Sequence, residues 1–144
     1  DLPGQTVAEV LGEAVERMAL GSVEEKNRLY ENLMEREQMM STGIGNGVAI
    51  PHPRTPFSES ELPAQIATFF LENPIDYNAV DKKPVFVLFV LVAPTSQSHL
   101  HLLSRISFCL RDTHFLEMLA EIPDPERLLE KAAEFDQRLD EPGE

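Results

Sequence analysis

The stretch from Ser41 to Arg54, Ser-Thr-Gly-Ile-Gly-Asn-Gly-Val-Ala-Ile-Pro-His-Pro-Arg, leaves this chain fewer conformational options than any other. Gly43, Gly45 and Gly47 alternate, the apolar Val48, Ala49 and Ile50 follow, and His52 stands between two prolines. A strand interior has no use for Pro51 or Pro53, since neither carries an N–H for a ladder. A loop has no use for Val-Ala-Ile. Pro51 has φ held near about −65°, and Pro53 keeps His52 out of the α region. The imidazole is therefore expected to leave a short buried strand on extended, stiff backbone, as a nucleophile held for transfer chemistry. A plain surface histidine after a strand is the alternative.

The glycines precede a strand rather than a helix, and no Gly-Lys-Ser/Thr follows them. That excludes a nucleotide P-loop and a dinucleotide-binding fingerprint, both of which need a helix N-terminus after the glycines. Positive φ and close approach of backbone N–H groups to an anion remain open to them, and so does an ordinary tight turn.

On either side of this stretch the hydrophobic spacing alternates between helix and strand. Thr6 and Glu9 have the form of a capping box ahead of Val7, Val10, Leu11, Ala14, Val15 and Met18 at helical spacing, with Gly21 as the stop. Ser22 and Glu25 open a second helix, with Leu29, Leu33 and Met40 on one stripe. Val48–Ile50 and Gln65–Leu71 read as strands, and residues 73–83 as a polar, turn-rich connection. Val85 to Val92 is apolar without alternation, the pattern of a central strand covered on both faces. Helices are expected over 97–111, about 114–121, and from Asp124-Pro125 to about Arg138. The order predicts a three-layer α/β domain around a small sheet.

At 144 residues the chain is read as a single domain over 1–144, with a frayed tail at 139–144. It begins at Asp1 rather than Met, as an excised piece of a longer protein would. The longest apolar run, Val85–Ala93, is far short of a membrane span. One cysteine, Cys109, excludes an internal disulfide and suits a reducing cytoplasm. The net charge of −13 falls on 1–35 and 112–144 and leaves 36–111 neutral. Such a surface repels nucleic acid and anionic membranes and steers toward basic partners, or simply keeps the protein soluble.

Two further residues are candidates. His99 and His101 lie two apart, about 200° around a helix axis, so they do not converge on one metal. His99 falls on the apolar face with Leu102, Leu103, Ile106, Cys109 and Leu110, in a first turn where an anion is favoured; a core histidine bonded to a carbonyl has the same place. His101 falls on the opposite, solvated side. Arg36 sits in the last turn before the glycines, where a cation complements the helix dipole and is also near enough for a site at His52. Arg54, two residues past His52, shares that environment.

The run from Arg36-Glu37 through Ser41 to His52 resembles the phosphorylation site of the fructose/mannitol-type enzyme IIA domains of the bacterial phosphotransferase system, a group that includes the nitrogen-regulatory enzyme IIA. The similarity continues through Pro74-Ile75-Asp76, Val85–Pro94 and His99–Ser104. The resemblance implies a three-layer α/β/α sandwich with a small mixed sheet, and a phosphohistidine carrier that accepts its phosphoryl group from the phosphocarrier protein HPr, or a nitrogen-branch relative, on Nε2 of His52. It implies His99 and Arg36 as the other active-site residues, no cofactor and no metal. An enzyme IIB domain or a regulated protein is implied as partner, with no direct nucleic-acid contact, no membrane insertion and a cytoplasmic location.

Three departures stand out. Pro53-Arg54 replaces the glycine that usually follows the phosphorylated histidine, as in a subgroup fused to an excisionase-like DNA-binding module; this points to a regulatory output. Asp1–Gln5 offers no clear counterpart to the family's N-terminal strand. The chain holds no enzyme IIB domain. The alternatives are a non-catalytic module of the same fold whose phosphorylation state gates a partner, and a metal-dependent hydrolase using His52 and His99, which lacks a ligand set at metal spacing.

Overall fold

Both N-terminal helices begin where their capping side chains place them. Thr6 accepts the Glu9 N–H at 3.2 Å while the Glu9 carboxylate takes the Gln5 N–H at 2.8 Å, starting α1 (Val7–Arg17). Ser22 accepts the Glu25 N–H at 3.1 Å and starts α2 (Val23–Met39). The structure, a computed structural model, describes residues 1–18, 22–56 and 64–130. The expected stop at Gly21, the last helix beyond 130 and the frayed tail lie outside them. The backbone groups into two compact units, Asp1–His99 and Leu100–Glu144.

Among the described residues of the first unit, four strands form a mixed sheet in the order β1-β2-β4-β3. They are β1 (Gly43–Gly45), β2 (Val48–Ala49), β3 (Gln65–Ile75) and β4 (Val85–Val92). β2 runs parallel to β4, while β1/β2 and β3/β4 are antiparallel. The α/β class and the small mixed sheet are as the sequence predicts. β1 is not: two of its three residues are glycine, a poor strand former, and pairing to β2 overrides that preference. The turn between them, Asn46-Gly47, has φ of 57° and 79°, the signature of a type I′ hairpin.

β3 runs four residues past the expected end at Leu71, through Asn73-Pro74, with a register shift between Phe70 and Ile75. Such a shift on an outer strand is where a proline is tolerated. The N-terminal strand is reduced to one parallel bridge: the Leu2 N–H donates to the Phe70 carbonyl and the Leu2 carbonyl accepts from Glu72, both at 2.8 Å.

β4 is the centre of the unit. Leu88, Val90 and Val92 pack in one cluster with Val10, Leu11, Ala14, Leu29, Leu33 and Tyr77, and the alternate residues Val87, Phe89 and Leu91 are buried as well. Each such side chain contributes about 1.5–3 kcal/mol on burial. Met40 departs from its expected stripe. It caps α2 in extended conformation and is 71% exposed, because the helix ends one residue earlier.

Helix α3 (Ser96–Leu110) begins with a reciprocal cap in which Thr95 Oγ1 accepts the Ser98 N–H at 3.1 Å and Ser98 Oγ accepts the Thr95 N–H at 3.2 Å. In the second unit Asp112 caps α4 (Thr113–Ala120), which buries Phe115, Met118 and Leu119. Asp124 caps a helical stretch over 125–130 by accepting the Arg127 N–H at 2.8 Å.

Two glycines make opposite predictions. A Cβ at Gly47 would require positive φ and collide with the Phe86 ring, so Gly47→Ala is expected to cost about 1–3 kcal/mol. At Gly12, inside α1, a Cβ would sit 3.7 Å from Tyr30, an ordinary contact. Gly12→Ala should therefore add about 0.5–1 kcal/mol. Urea denaturation of the two variants measures both.

Candidate functional site

β2 ends at Ala49, but the backbone stays anchored beyond it. The Ile50 N–H donates to the Thr42 carbonyl at 3.0 Å, and the Pro51 carbonyl accepts from Leu91 of β4 at 2.9 Å. Pro51 and Pro53 are both buried, and His52 between them is half-buried. The strand-then-proline pattern thus does what its residue types require: it ends the ladder and holds one side chain at its mouth.

The ring of His52 is oriented by its own neighbour. Nδ1 lies 2.7 Å from the Ile50 carbonyl oxygen. A carbonyl only accepts, so Nδ1 carries the proton and Nε2 carries the lone pair. The His99 ring stands opposite, with centroids 5.2 Å apart and planes inclined by 49°. His99 occupies the first turn of α3, where its N–H donates to the Thr95 carbonyl at 3.0 Å. Burial lowers the His52 pKa below the ordinary imidazole value; the Ile50 carbonyl works against this, while the Arg36 and His99 charges push the same way as burial. Burial also lowers the pKa of His99. Both rings are thereby biased toward the neutral form.

Arg36 holds two of its expected positions at once. Its Nη1 donates to the Met40 carbonyl at 2.6 Å, closing the end of α2, and its charge reaches His52. Arg54 pairs with Glu35 at 3.3 Å on the surface, a contact worth at most about 1 kcal/mol. His101 is exposed. Of the two readings open for the glycine loop, the structure favours the tight turn. The Gly43 N–H is bound to Ser41 Oγ at 3.0 Å and the Asn46 N–H to Asp81 at 2.9 Å, so these two donors serve the hairpin rather than an incoming anion.

Glu37, Thr42 and Tyr77 were not singled out by sequence reasoning. The Glu37 carboxylate accepts the Thr42 N–H at 3.1 Å, the Thr42 hydroxyl, and the Tyr77 hydroxyl at 3.1 Å. Burial raises the Glu37 pKa against the opposing pull of these donors and Arg36. Burial and the Glu37 charge together hold the Tyr77 phenol above its ordinary range. No local pattern links positions 37 and 77; the only signal is the Arg36-Glu37 pair beside the loop. Among the described residues no three His, Cys, Asp or Glu side chains converge to hold a metal ion. None of the described helices is long and apolar enough to cross a membrane.

Residues 1–133 match the family described as phosphoenolpyruvate-dependent sugar phosphotransferase system, EIIA 2. The chain is 35% identical over 131 residues to a nitrogen regulatory protein of Pseudomonas aeruginosa, covering 89% of this chain and 83% of that protein. It is 40% identical over 102 residues to the nitrogen regulatory protein of Escherichia coli, covering 69% of this chain but 61% of that protein. Among solved structures, the nitrogen regulatory protein IIA-Ntr of Neisseria meningitidis superposes with a TM-score of 0.75 at 26% identity, covering 91% of this chain and 90% of that one. Enzyme IIAMTL of Escherichia coli, solved in complex with phosphorylated enzyme IIBMTL, gives 0.74 at 16% identity with the same coverage and shares the fold. The α/β sandwich, the length of the match and the relatives at 35% and 40% identity agree: this chain belongs to the EIIA type 2 family of the phosphoenolpyruvate-dependent sugar phosphotransferase system.

Proposed function

We propose that residues 1–144 act as one phosphocarrier domain, with His52 accepting a phosphoryl group on Nε2 from a phosphorylated HPr-like protein and passing it on in a regulatory role. The observation that carries this reading is the 2.7 Å contact from Nδ1 to the Ile50 carbonyl, which leaves Nε2 as the nucleophilic nitrogen. Kinship with nitrogen regulatory proteins supports a regulatory output. The complex of IIAMTL with IIBMTL supports a IIB-like protein or regulated target as the downstream partner. Such a relay works in the cytoplasm.

The chemistry needs little beyond positioning. The Nε2 lone pair attacks phosphorus in line as the P–N bond of the donor phosphohistidine breaks, its electron pair returning to the donor nitrogen. The attacking ring gains positive character, and the Ile50 carbonyl, already bound to Nδ1–H, stabilises it. Arg36 and His99 supply positive charge and an N–H donor for the phosphoryl oxygens. A metal or activated hydroxyl is not required, because neutral imidazole is itself a competent nucleophile.

His52→Ala should abolish transfer of labelled phosphoryl from phosphorylated HPr while leaving the circular dichroism spectrum unchanged; retained labelling of that variant would end the reading. A second test follows from the lowered histidine pKa values. In an NMR titration His52 should have its midpoint below about 6.5, the value of a free imidazole. Because the unfolded chain binds these protons more readily, the contribution to stability is complete above about pH 6.5 and is lost as pH falls through the folded-state values of His52 and His99. Denaturation midpoints that rise on acidification across this window would contradict it.

A further inference from the structure

Glu37 gathers three donors from two segments: the backbone and hydroxyl of Thr42, and the hydroxyl of Tyr77 from beyond β3. Thr42 is 4% exposed and Tyr77 2%, so neither can exchange this partner for bulk water. Thr42 in turn presents its carbonyl to the Ile50 N–H at 3.0 Å, and the Ile50 carbonyl receives Nδ1–H of His52. The two residues that carry this carbonyl, Ile50 and Pro51, are therefore held on both flanks, by the Ile50 N–H on Thr42 and by the bond from Leu91 to the Pro51 carbonyl at 2.9 Å. The Leu91 side belongs to the sheet. The Thr42 side continues the pairing of the outer strand β1 with β2, and Glu37 binds both the N–H and the hydroxyl of Thr42 there.

We propose that Glu37 is a positioning residue for His52, holding Thr42 so that the Ile50 carbonyl keeps the ring in its Nδ1–H form with Nε2 free. The kinetic part of this role rests on His52 being the phosphoryl acceptor; the tautomer part does not. The hydrogen-bond partners of Glu37 are Thr42 and Tyr77 rather than His52. Its effect reaches the ring through two backbone carbonyls, and an acceptor of the same shape can replace it. A carboxamide with its oxygen in the Oε2 place still accepts the Thr42 N–H, and its NH2 in the Oε1 place can donate to the hydroxyl oxygens of Thr42 and Tyr77, whereas a methyl leaves all three donors unmatched.

The test compares Glu37→Gln and Glu37→Ala with the unaltered chain by long-range nitrogen-15 NMR of the His52 ring and by the rate of phosphoryl uptake from phosphorylated HPr. Unaltered protein and Glu37→Gln should show the Nδ1–H tautomer and similar rates. Glu37→Ala should show a mixture of tautomers and uptake slowed about tenfold, the scale of a small misplacement of a reacting group. A folded Glu37→Ala protein that keeps the single tautomer would overturn the proposal, and so would Glu37→Gln failing as badly as alanine. If Glu37→Ala does not fold, Thr42→Val, which removes one hydroxyl at nearly constant volume, should shift the tautomer in the same direction; an unchanged ring there would overturn it equally. If the unaltered chain takes no phosphoryl group, the assignment of His52 fails, while the tautomer comparison still decides the role of Glu37.

Discussion

The parallel pairing of β2 with β4 is the contact on which both core and site depend. β2 is only two residues long, yet its ladder is extended at each end. The Gly47 carbonyl accepts from Phe86 and Val87 at 2.9 and 3.2 Å, and the Pro51 carbonyl accepts from Leu91 at 2.9 Å. Buried backbone groups left unpaired are costly, so this short register is strongly specified. The same bonds set the position of His52, one residue past the last of them. A shift by one residue would turn Val48 and Ala49 to the wrong faces and carry the histidine away with them.

Around that register the site is built from opposed electrostatic preferences. Burial disfavours charge on His52 and His99, and Arg36 close by disfavours it further on His52. The Ile50 carbonyl pulls the other way, polarising the ring without protonating Nε2. The result is an imidazole that is neutral at rest and supported once its ring becomes more positive. Glu37 is half-buried with three donors, so the loop before His52 is held by a polar contact while the strand after the glycines is held by an apolar core.

Much of this was legible in the sequence. Helix starts could be read from Thr6, Ser22 and Asp124 because a capping side chain acts within three residues of itself. The unalternating run of β4 named the central strand, and the helical angle between His99 and His101 separated the half-buried histidine from the exposed one. What escaped depends on partners remote in sequence. β1 is a strand only because β2 pairs with it. β3 continues through Pro74 only because an outer strand allows a register shift, and Tyr77 finds Glu37 forty residues away. Of the two roles open to the glycines, a tight turn or an anion cradle, the bond from the Asn46 N–H to Asp81 supports the turn, and Asp81 too is remote in sequence.

The central claim is that His52 carries the phosphoryl group on Nε2 because the Ile50 carbonyl occupies Nδ1–H. Its most direct test is NMR of the nitrogen-15-labelled protein after incubation with phosphoenolpyruvate, enzyme I and HPr, reading phosphorus-to-nitrogen coupling in the histidine rings. The account predicts one coupled ring, His52, with phosphorus on Nε2 and the proton retained on Nδ1. Phosphorus on Nδ1 of His52, or on any other residue, would contradict it.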